Sequence, residues 1–307
     1  MDAPETRELT YFVAVAEELH FGRAAERLGM AQPPLSRAIQ RLERRMGVPL
    51  LERTSRAVSL TPAGVVFLAE CHKALDAVNA AVRRAQRAGR AQPRLLVVTK
   101  PGGDAGLLTR IMPLYRRDPD AVEVEVVVCG IGEQAPMLRD GRVDLAFLHA
   151  PHDDLSGFDT ELLLTQDQVA VLPRDHRLAD RAALVLADLA GEPTPSWPGP
   201  GANGAGGAGG AGSAGVNGGL VVRDGGQLMQ LIALGQAVAV LPESVRRNAR
   251  SDVVCVPVLD APSTMVLLAW PERTRSRAVA AFVRASAEVA GGGARAGGGA
   301  VVEPGWG

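Results

Sequence analysis

Ser36, Arg37, Gln40, Arg41 and Arg44 stand one, three and four residues apart, so on a helix they share a face. Hydroxyl, amide and guanidinium groups arrayed this way can bond duplex phosphates and base edges. A solvated surface would also carry arginines, but the local charge argues otherwise. Residues 20 to 60 hold eight arginines against three glutamates, an excess of five positive charges, while the whole chain stands at −1. Basic charge gathered into one small module is what a phosphate-binding surface requires.

A second constellation lies at Thr99-Lys100-Pro101-Gly102-Gly103. Lys100 is one of two lysines in a chain with 33 basic residues. A lysine between a strand end and the opening of a helix suits an anionic small molecule, because unpaired helix amides add to its field; a plain surface lysine is the alternative. Cys129-Gly130-Ile131-Gly132 forms a matching loop after the next strand. Other chemistry finds less footing. GAGGAG at 204–209 fits a dinucleotide pattern but sits in a low-complexity run with no strand before it. His149, His152, Asp153 and Asp154 offer ligands at loop spacing without a third soft ligand, so they read as a polar connection and no metal is assigned. No nucleophile-elbow or zinc-protease motif occurs. No enzyme activity and no cofactor is expected.

The elements that position the arginines follow from periodicity. Leu9, Phe12, Val13 and Ala16 bury one face of a first helix, and Ala24, Ala25 and Leu28 that of a second. Gly29 to Ala31 interrupts. Pro33 and Pro34 open a third helix, where missing amides cost nothing, and Leu35, Ile39, Leu42 and Met46 line its core side up to Gly47. Helix, turn, helix lets the last helix enter a major groove. Residues 50–60 form a hairpin or wing with Arg53 and Arg56 at its tip. Thr61 and Pro62 then start a helix unbroken to Gly89. Its apolar positions Leu68, Cys71, Leu75, Val78, Val82 and Ala85 recur at 3, 4, 3, 4 and 3, a heptad seam suited to pairing with a second copy; packing on its own domain is the alternative. About 25 helical residues reach roughly 40 Å.

Beyond Pro93 strands alternate with helices: strands at 95–99, 122–128 and 143–148, helices at 107–115 and around Met137. That pattern predicts a parallel sheet with crossovers, whose ligands gather at strand carboxyl ends. A second part starts near Leu164, with a strand at 168–172 and Leu184 and Leu189 on a short helix. Pro198 to Gly219 is too glycine-rich to bury apolar area and is expected to be a mobile loop. Structure resumes at Leu220–Val222, a helix begins at Asp224 to Gln227 facing the cleft, and a strand at 237–241 precedes a helix from Pro242.

The motifs AERLGMAQPPLSRAIQRLERRMGVPLLER and SLTPAG resemble those of the LysR-type transcriptional regulators. By that resemblance, Gln32, Pro33, Ser36 and Arg37 occupy the start of the recognition helix that touches bases and phosphates. Arg53 and Arg56 match the wing positions that approach the backbone and minor groove. The resemblance makes the long helix a dimerisation linker and places the 99–102 and 130–132 loops on an effector cleft between two α/β subdomains, in a fold like periplasmic substrate-binding proteins. Gly22 stands where the family usually has Ser or Thr, so the second helix is expected to lack a side-chain N-cap.

The expected fold is therefore α/β overall. A winged helix-turn-helix at 1–60 is followed by a linker helix at 61–89 and an effector-binding domain at 94–290. Within it, subdomain I covers about 94–163 and 266–290, subdomain II about 164–265, and 291–307 is a disordered tail. The expected partners are double-stranded DNA, an anionic effector, a second or further copies of the chain, and RNA polymerase. No apolar run of about 18 residues and no leader-like N-terminus is present, which points to the cytoplasm rather than a membrane. Three widely spaced cysteines, Cys71, Cys129 and Cys255, read as reduced and buried. The alternative function is a small-molecule binding protein or enzyme carrying a basic N-terminal module.

Overall fold

The computed structural model describes residues 4–53, 57–89, 91–195, 222, 224–272 and 274–294. The chain forms two compact units, Met1–Ala88 and Gly89–Gly307.

The first unit contains α1 (Thr6–Glu18), α2 (Phe21–Arg27), α3 (Gln32–Met46), β1 (Leu51–Arg53), β2 (Val58–Leu60) and α4 (Pro62–Ala88). Phe12, Val15, Leu35, Ile39, Leu42 and Leu50 are fully buried in one cluster. Each removes an apolar side chain from water, worth roughly 1.5–3 kcal/mol. Gly47 ends α3 in the left-handed region, at φ 73°, where a side chain would be strained. β1 and β2 pair antiparallel, Leu51 opposite Leu60 and Arg53 opposite Val58.

The root of α4 is held tightly. The Thr61 hydroxyl accepts the Gly64 N–H (2.9 Å) and donates to the Pro49 carbonyl (2.8 Å), and the Thr61 N–H donates to the Leu50 carbonyl at 3.0 Å. A Cβ on Gly64 would lie 2.0 Å from that same carbonyl oxygen, so the SLTPAG glycine is there for close approach. The heptad stripe divides. Cys71 is 1% exposed, and Leu68 and Leu75 pack with it on the core of the first unit, where Phe67 meets Phe12 at 5.0 Å between ring centroids. Those three are therefore spent inside their own unit, because α4 crosses α1. Val78 and Val82 stay exposed.

The second unit begins with β3 (Arg94–Thr99), α5 (Leu108–Tyr115), β4 (Glu123–Val128), α6 (Gln134–Arg139), β5 (Leu145–Ala150) and β6 (Phe158–Gln166). It continues with β7 (Gln168–Pro173), α7 (Gly225–Ala233), β8 (Ala239–Pro242), β9 (Val253–Val258), β10 (Thr264–Pro271) and α8 (Arg277–Ala294). One five-stranded sheet runs β4-β3-β5-β10-β6, and a three-stranded one runs β8-β7-β9. Only the β3–β4 and β3–β5 pairs are parallel; β10 opposes both β5 and β6, and the smaller sheet is antiparallel throughout. The parallel sheet expected from the first three strands is present in β3, β4 and β5, and the returning segment expected at 266–290 supplies β10, which joins it antiparallel together with β6.

The chain passes between sheets at Asp167 and again at residues 259–263. Polar ties pin both passages. Gln168 donates to Thr264, the Ser263 hydroxyl to Asp167 Oδ1 at 3.1 Å, and the Ser244 N–H to Gln166 Oε1 at 2.9 Å.

Other details differ from expectation. Leu184 is not helical: it bridges to Val258, and a 3-10 turn starts at Leu186. α8 continues through Gly291 to Ala294, past the expected start of the tail, since helical glycine costs only about 1 kcal/mol relative to alanine. The segments 198–219, 220–221 and 295–307 lie outside the described residues.

Candidate functional sites

In the first unit the structure sorts the arginines by their carboxylate partners. Arg23 pairs with Glu18 (3.3 Å), Arg27 with Glu17 (2.6 Å), Arg45 with Glu8, and Arg53 with Glu43 (3.2 Å). Among the described residues no carboxylate pairs with Arg37, Arg41 or Arg44. These three are exposed on α3 together with Gln32, Pro33 and Gln40, and Ser36 is half-buried beside them. Hence the local excess charge resolves to one strip of guanidiniums without a bonded carboxylate on one helix face, Arg41 feeling Glu8 only at longer range. Arg45 is spent on structure: burial would raise the Glu8 carboxyl, but the Glu5 N–H and Arg45 outweigh it and hold it below the usual range.

Arg53 is not free at a wing tip. It ends β1, its guanidinium lies over the Phe21 ring at 4.6 Å, and it reaches Ser36 Oγ at 3.5 Å as well as Glu43. The cause is Glu43, an acceptor two turns along α3 from Ser36. Arg56 lies outside the described residues. Glu43 also accepts the N–H groups of Leu50 (2.9 Å) and Leu51 (3.0 Å), fastening the root of the wing to α3. In the sequence it registers only as one negative charge.

The expected lack of a cap on α2 is also corrected. His20 Nδ1 accepts the N–H groups of Gly22 (3.1 Å) and Arg23 (3.2 Å). A Cβ on Gly22 would come within 2.9 Å of His20 Cε1, so the glycine makes room for an imidazole cap.

In the second unit, the carboxyl ends of β3, β4 and β5 bring several polar groups together. Thr99 is buried and Lys100 half-buried. The Gly103 N–H donates to the Lys100 carbonyl (2.8 Å), with Gly102 at φ 72° closing the turn that also carries Pro101. The Cys129 N–H donates to the Thr99 carbonyl at 3.1 Å, which joins this loop to Gly130-Ile131-Gly132, and Glu133 accepts the Gly130 N–H at 2.8 Å. Gln227 lies in the first turn of α7, its N–H on the Asp224 carboxylate at 2.9 Å; α7 packs on the smaller sheet.

The histidines read as a connection belong to this cluster. The His149 N–H donates to Asp153 Oδ2 (2.7 Å), and its ring Nδ1 stands 3.8 Å from the same oxygen, buried and without a hydrogen-bond partner. Burial lowers the pKa of Lys100 against the pull of Asp153 and Cys129, and burial lowers His149 and His152, with Lys100 adding to both. Burial alone would raise Asp153; His149 and Lys100 outweigh it and keep the carboxylate ionised. No carboxylate is bonded to Lys100 among the described residues, and burial, the largest influence on it, works against its charge while Asp153 favours it. No group of three or more His, Cys, Asp or Glu side chains among the described residues could hold a metal ion. Burial pushes the Cys71 and Cys129 thiols up to about 11, so both are protonated near neutral pH.

One tie crosses between the two sheets' territories. Arg247, on the 3-10 turn after β8, donates to the Ala105 carbonyl at 2.5 Å. A Cβ on Gly106 would meet its Nη1 at 2.6 Å. The stretch LPESVRRN carried no sequence signal for that contact.

Comparison with known proteins covers both units. Residues 6–65 match the model of the bacterial regulatory helix-turn-helix protein, lysR family, and residues 88–291 match the LysR substrate binding domain. YnfL of Escherichia coli K12, an uncharacterized HTH-type transcriptional regulator, is 36% identical over 276 residues, 87% of this chain and 92% of its own. HcaR of the same organism, the Hca operon transcriptional activator, is 32% identical over 290 residues, 91% of this chain and 96% of its own. A mutant of full-length BenM superposes with a TM-score of 0.51 at 27% identity, covering 95% of this chain and 97% of that one. CbnR, a LysR family transcriptional regulator, shares the fold with a TM-score of 0.54 at 23% identity, over 94% of this chain and 99% of its own.

Proposed function

Because the chain belongs to the LysR-type transcriptional regulators, we propose that its α3 enters a major groove while an anionic small molecule, bound near Lys100, adjusts promoter occupancy. The family consists of DNA-binding regulators with an effector-binding domain and not of enzymes, which sets the binding-protein or enzyme alternative aside.

The observation that carries the DNA reading is the strip Arg37, Arg41 and Arg44 on one face of α3, which lacks the carboxylate partners that Arg23, Arg27, Arg45 and Arg53 each have. Gln32, Pro33, Ser36, Arg37 and Gln40 would meet base edges and nearby phosphates, Arg41 the phosphate backbone, and Arg53 and Arg56 the flank. The protein acts in the cytoplasm as a homodimer or homotetramer, with RNA polymerase as a further partner. Val78 and Val82 on the outer half of α4 supply the pairing seam, two half-sites requiring two symmetry-related heads. Among the described residues no helix is long and apolar enough to cross a membrane.

In the effector domain, Thr99, Lys100, Pro101, Gly102, Gly130, Ile131, Gly132 and Gln227 line the cleft. A ligand there would bias the relative angle of the two sheets through the two passages at Asp167 and 259–263, shifting a pre-existing equilibrium.

Hydroxyl-radical footprinting of the full chain on the DNA upstream of its own gene tests the first half. Protection of two half-sites about one helical turn apart, or a multiple of it, is expected. Uniform or absent protection would contradict the reading. Thermal shifts with a panel of small mono- and dicarboxylates test the second: stabilisation by at least one, abolished in Lys100→Ala, is expected.

A further inference from the structure

We propose that Glu43 is a specificity-determining positioning residue for DNA, acting by withholding the charge of Arg53 from duplexes on which α3 is not seated in register. The inference rests on the DNA reading above and adds to it.

Glu43 follows Ser36 by seven residues, two helical turns, and so lies on the same face of α3. Its two oxygens are divided between two tasks. Oε1 takes the Leu50 and Leu51 amides at 2.9 and 3.0 Å, and Oε2 takes Arg53 at 3.2 Å. Arg53 in turn lies over Phe21 at 4.6 Å and reaches Ser36 Oγ at 3.5 Å. The guanidinium of this β1 residue is thus gripped by α2 and α3 together, and the Glu43 side chain is only 17% exposed.

A carboxylate beside a DNA-reading face repels phosphate, so it cannot be there for raw affinity. A free arginine on a hairpin binds any backbone, the sequence-independent contribution. Pinned by Glu43 and stacked on Phe21, Arg53 has one orientation relative to Ser36, and it can serve only a phosphate that arrives in that geometry. Arginine suits this role because its planar fork can stack and pair at once, whereas a lysine ammonium cannot.

The test compares full-length wild type, Glu43→Gln, Arg53→Lys, Arg53→Ala and the Glu43→Gln/Arg53→Ala double variant. Binding is measured by fluorescence anisotropy against a duplex selected by the wild type from a random pool and against a scrambled duplex, at several salt concentrations. Glu43→Gln keeps the shape and the acceptor for both wing amides and removes only the charge. Expected are tighter binding to scrambled DNA and a selected-to-scrambled ratio lowered roughly tenfold, the size of one charge-assisted anchor lost. Arg53→Lys should lower the ratio similarly. In the Arg53→Ala background Glu43→Gln should leave the ratio unchanged, since the residue acts through Arg53.

A purely structural Glu43 would weaken both duplexes alike and lower the melting temperature. That result, an unchanged ratio in Glu43→Gln, or an equal fall in the Arg53→Ala background, overturns the proposal. Should Glu43→Gln fail to fold, the Arg53→Lys ratio decides: lowered supports the proposal and unchanged overturns it. Failure of wild type to prefer any duplex would instead defeat the DNA reading itself.

Discussion

Replacing Gly64 with alanine adds a single methyl group at a helix position, a change that on an exposed helix is favourable by about 1 kcal/mol. Here the sign should reverse. The new Cβ would stand 2.0 Å from the Leu50 oxygen and 3.0 Å from both the Leu50 carbonyl carbon and Leu60 Cδ2, so backbone must move by more than about 1 Å to restore ordinary contact. The Leu50 oxygen cannot move alone, because it accepts the Thr61 N–H at 3.0 Å, and Gly64 cannot, because its own N–H is held by the Thr61 hydroxyl at 2.9 Å. Overpacking costs about 1–3 kcal/mol and loss of the Thr61 cap about 1 kcal/mol more. Against the propensity gain, the net is a loss of roughly 1–3 kcal/mol. Hydrogen-exchange mass spectrometry on the full chain reads it directly. Peptides covering α1, α3 and the root of α4 should exchange some 5- to 150-fold faster in Gly64→Ala if they open globally, the ratio equivalent to that loss. Slower or unchanged exchange would refute the close-approach reasoning.

Gly22→Ala should cost about 1 kcal/mol by displacing the His20 cap, since its Cβ falls 2.9 Å from His20 Cε1; denaturant melts in which Gly22→Ala matches wild type would contradict this. Burial depresses the His149 pKa from its usual 6.5, so the unfolded chain binds the proton more readily. That contribution to stability is complete above about pH 6.5 and is lost as pH falls toward the folded value; His149→Asn should flatten the melting-temperature profile below pH 6.5, and an unchanged slope counts against it. With Cys71 and Cys129 raised to about 11, iodoacetamide at pH 7 should label both far more slowly than a small free thiol; rapid modification by peptide mass spectrometry would show an activated thiol instead.

The sequence carried the head almost entire because its signals are local. Pro33 and Pro34, Gly47 and Thr61 each mark a helix end, and every apolar interval matched a buried face. What it missed depends on contacts between distant segments. Glu43 counts as one more glutamate until the wing folds back onto it. His20 is an unusual capping residue, and only the clearance at Gly22 shows why it serves. The heptad stripe gave the correct helix but not its division: Cys71 and Val82 look equivalent in periodicity, and only the path of α1 separates them. In the effector domain β6 was hidden by the charged alternation of DTELLLT. β9 was hidden by Pro257, tolerated because β9 is an edge strand. The Lys100 loop was legible as strand end plus glycines, while its neighbours His149 and Asp153 became visible only when β3 and β5 were laid side by side.

The central claim is that the exposed guanidinium strip of α3 grips phosphate and reads sequence. Its most direct test is the salt dependence of binding to the selected duplex by wild type and by Arg37→Ala/Arg41→Ala/Arg44→Ala. Each phosphate contact contributes about 0.9 to the slope of log affinity against log salt, so the triple variant should lose roughly 2–3 from that slope per head and most of its sequence preference, with the fold intact by circular dichroism. A variant that binds with the wild-type slope and preference would contradict the account.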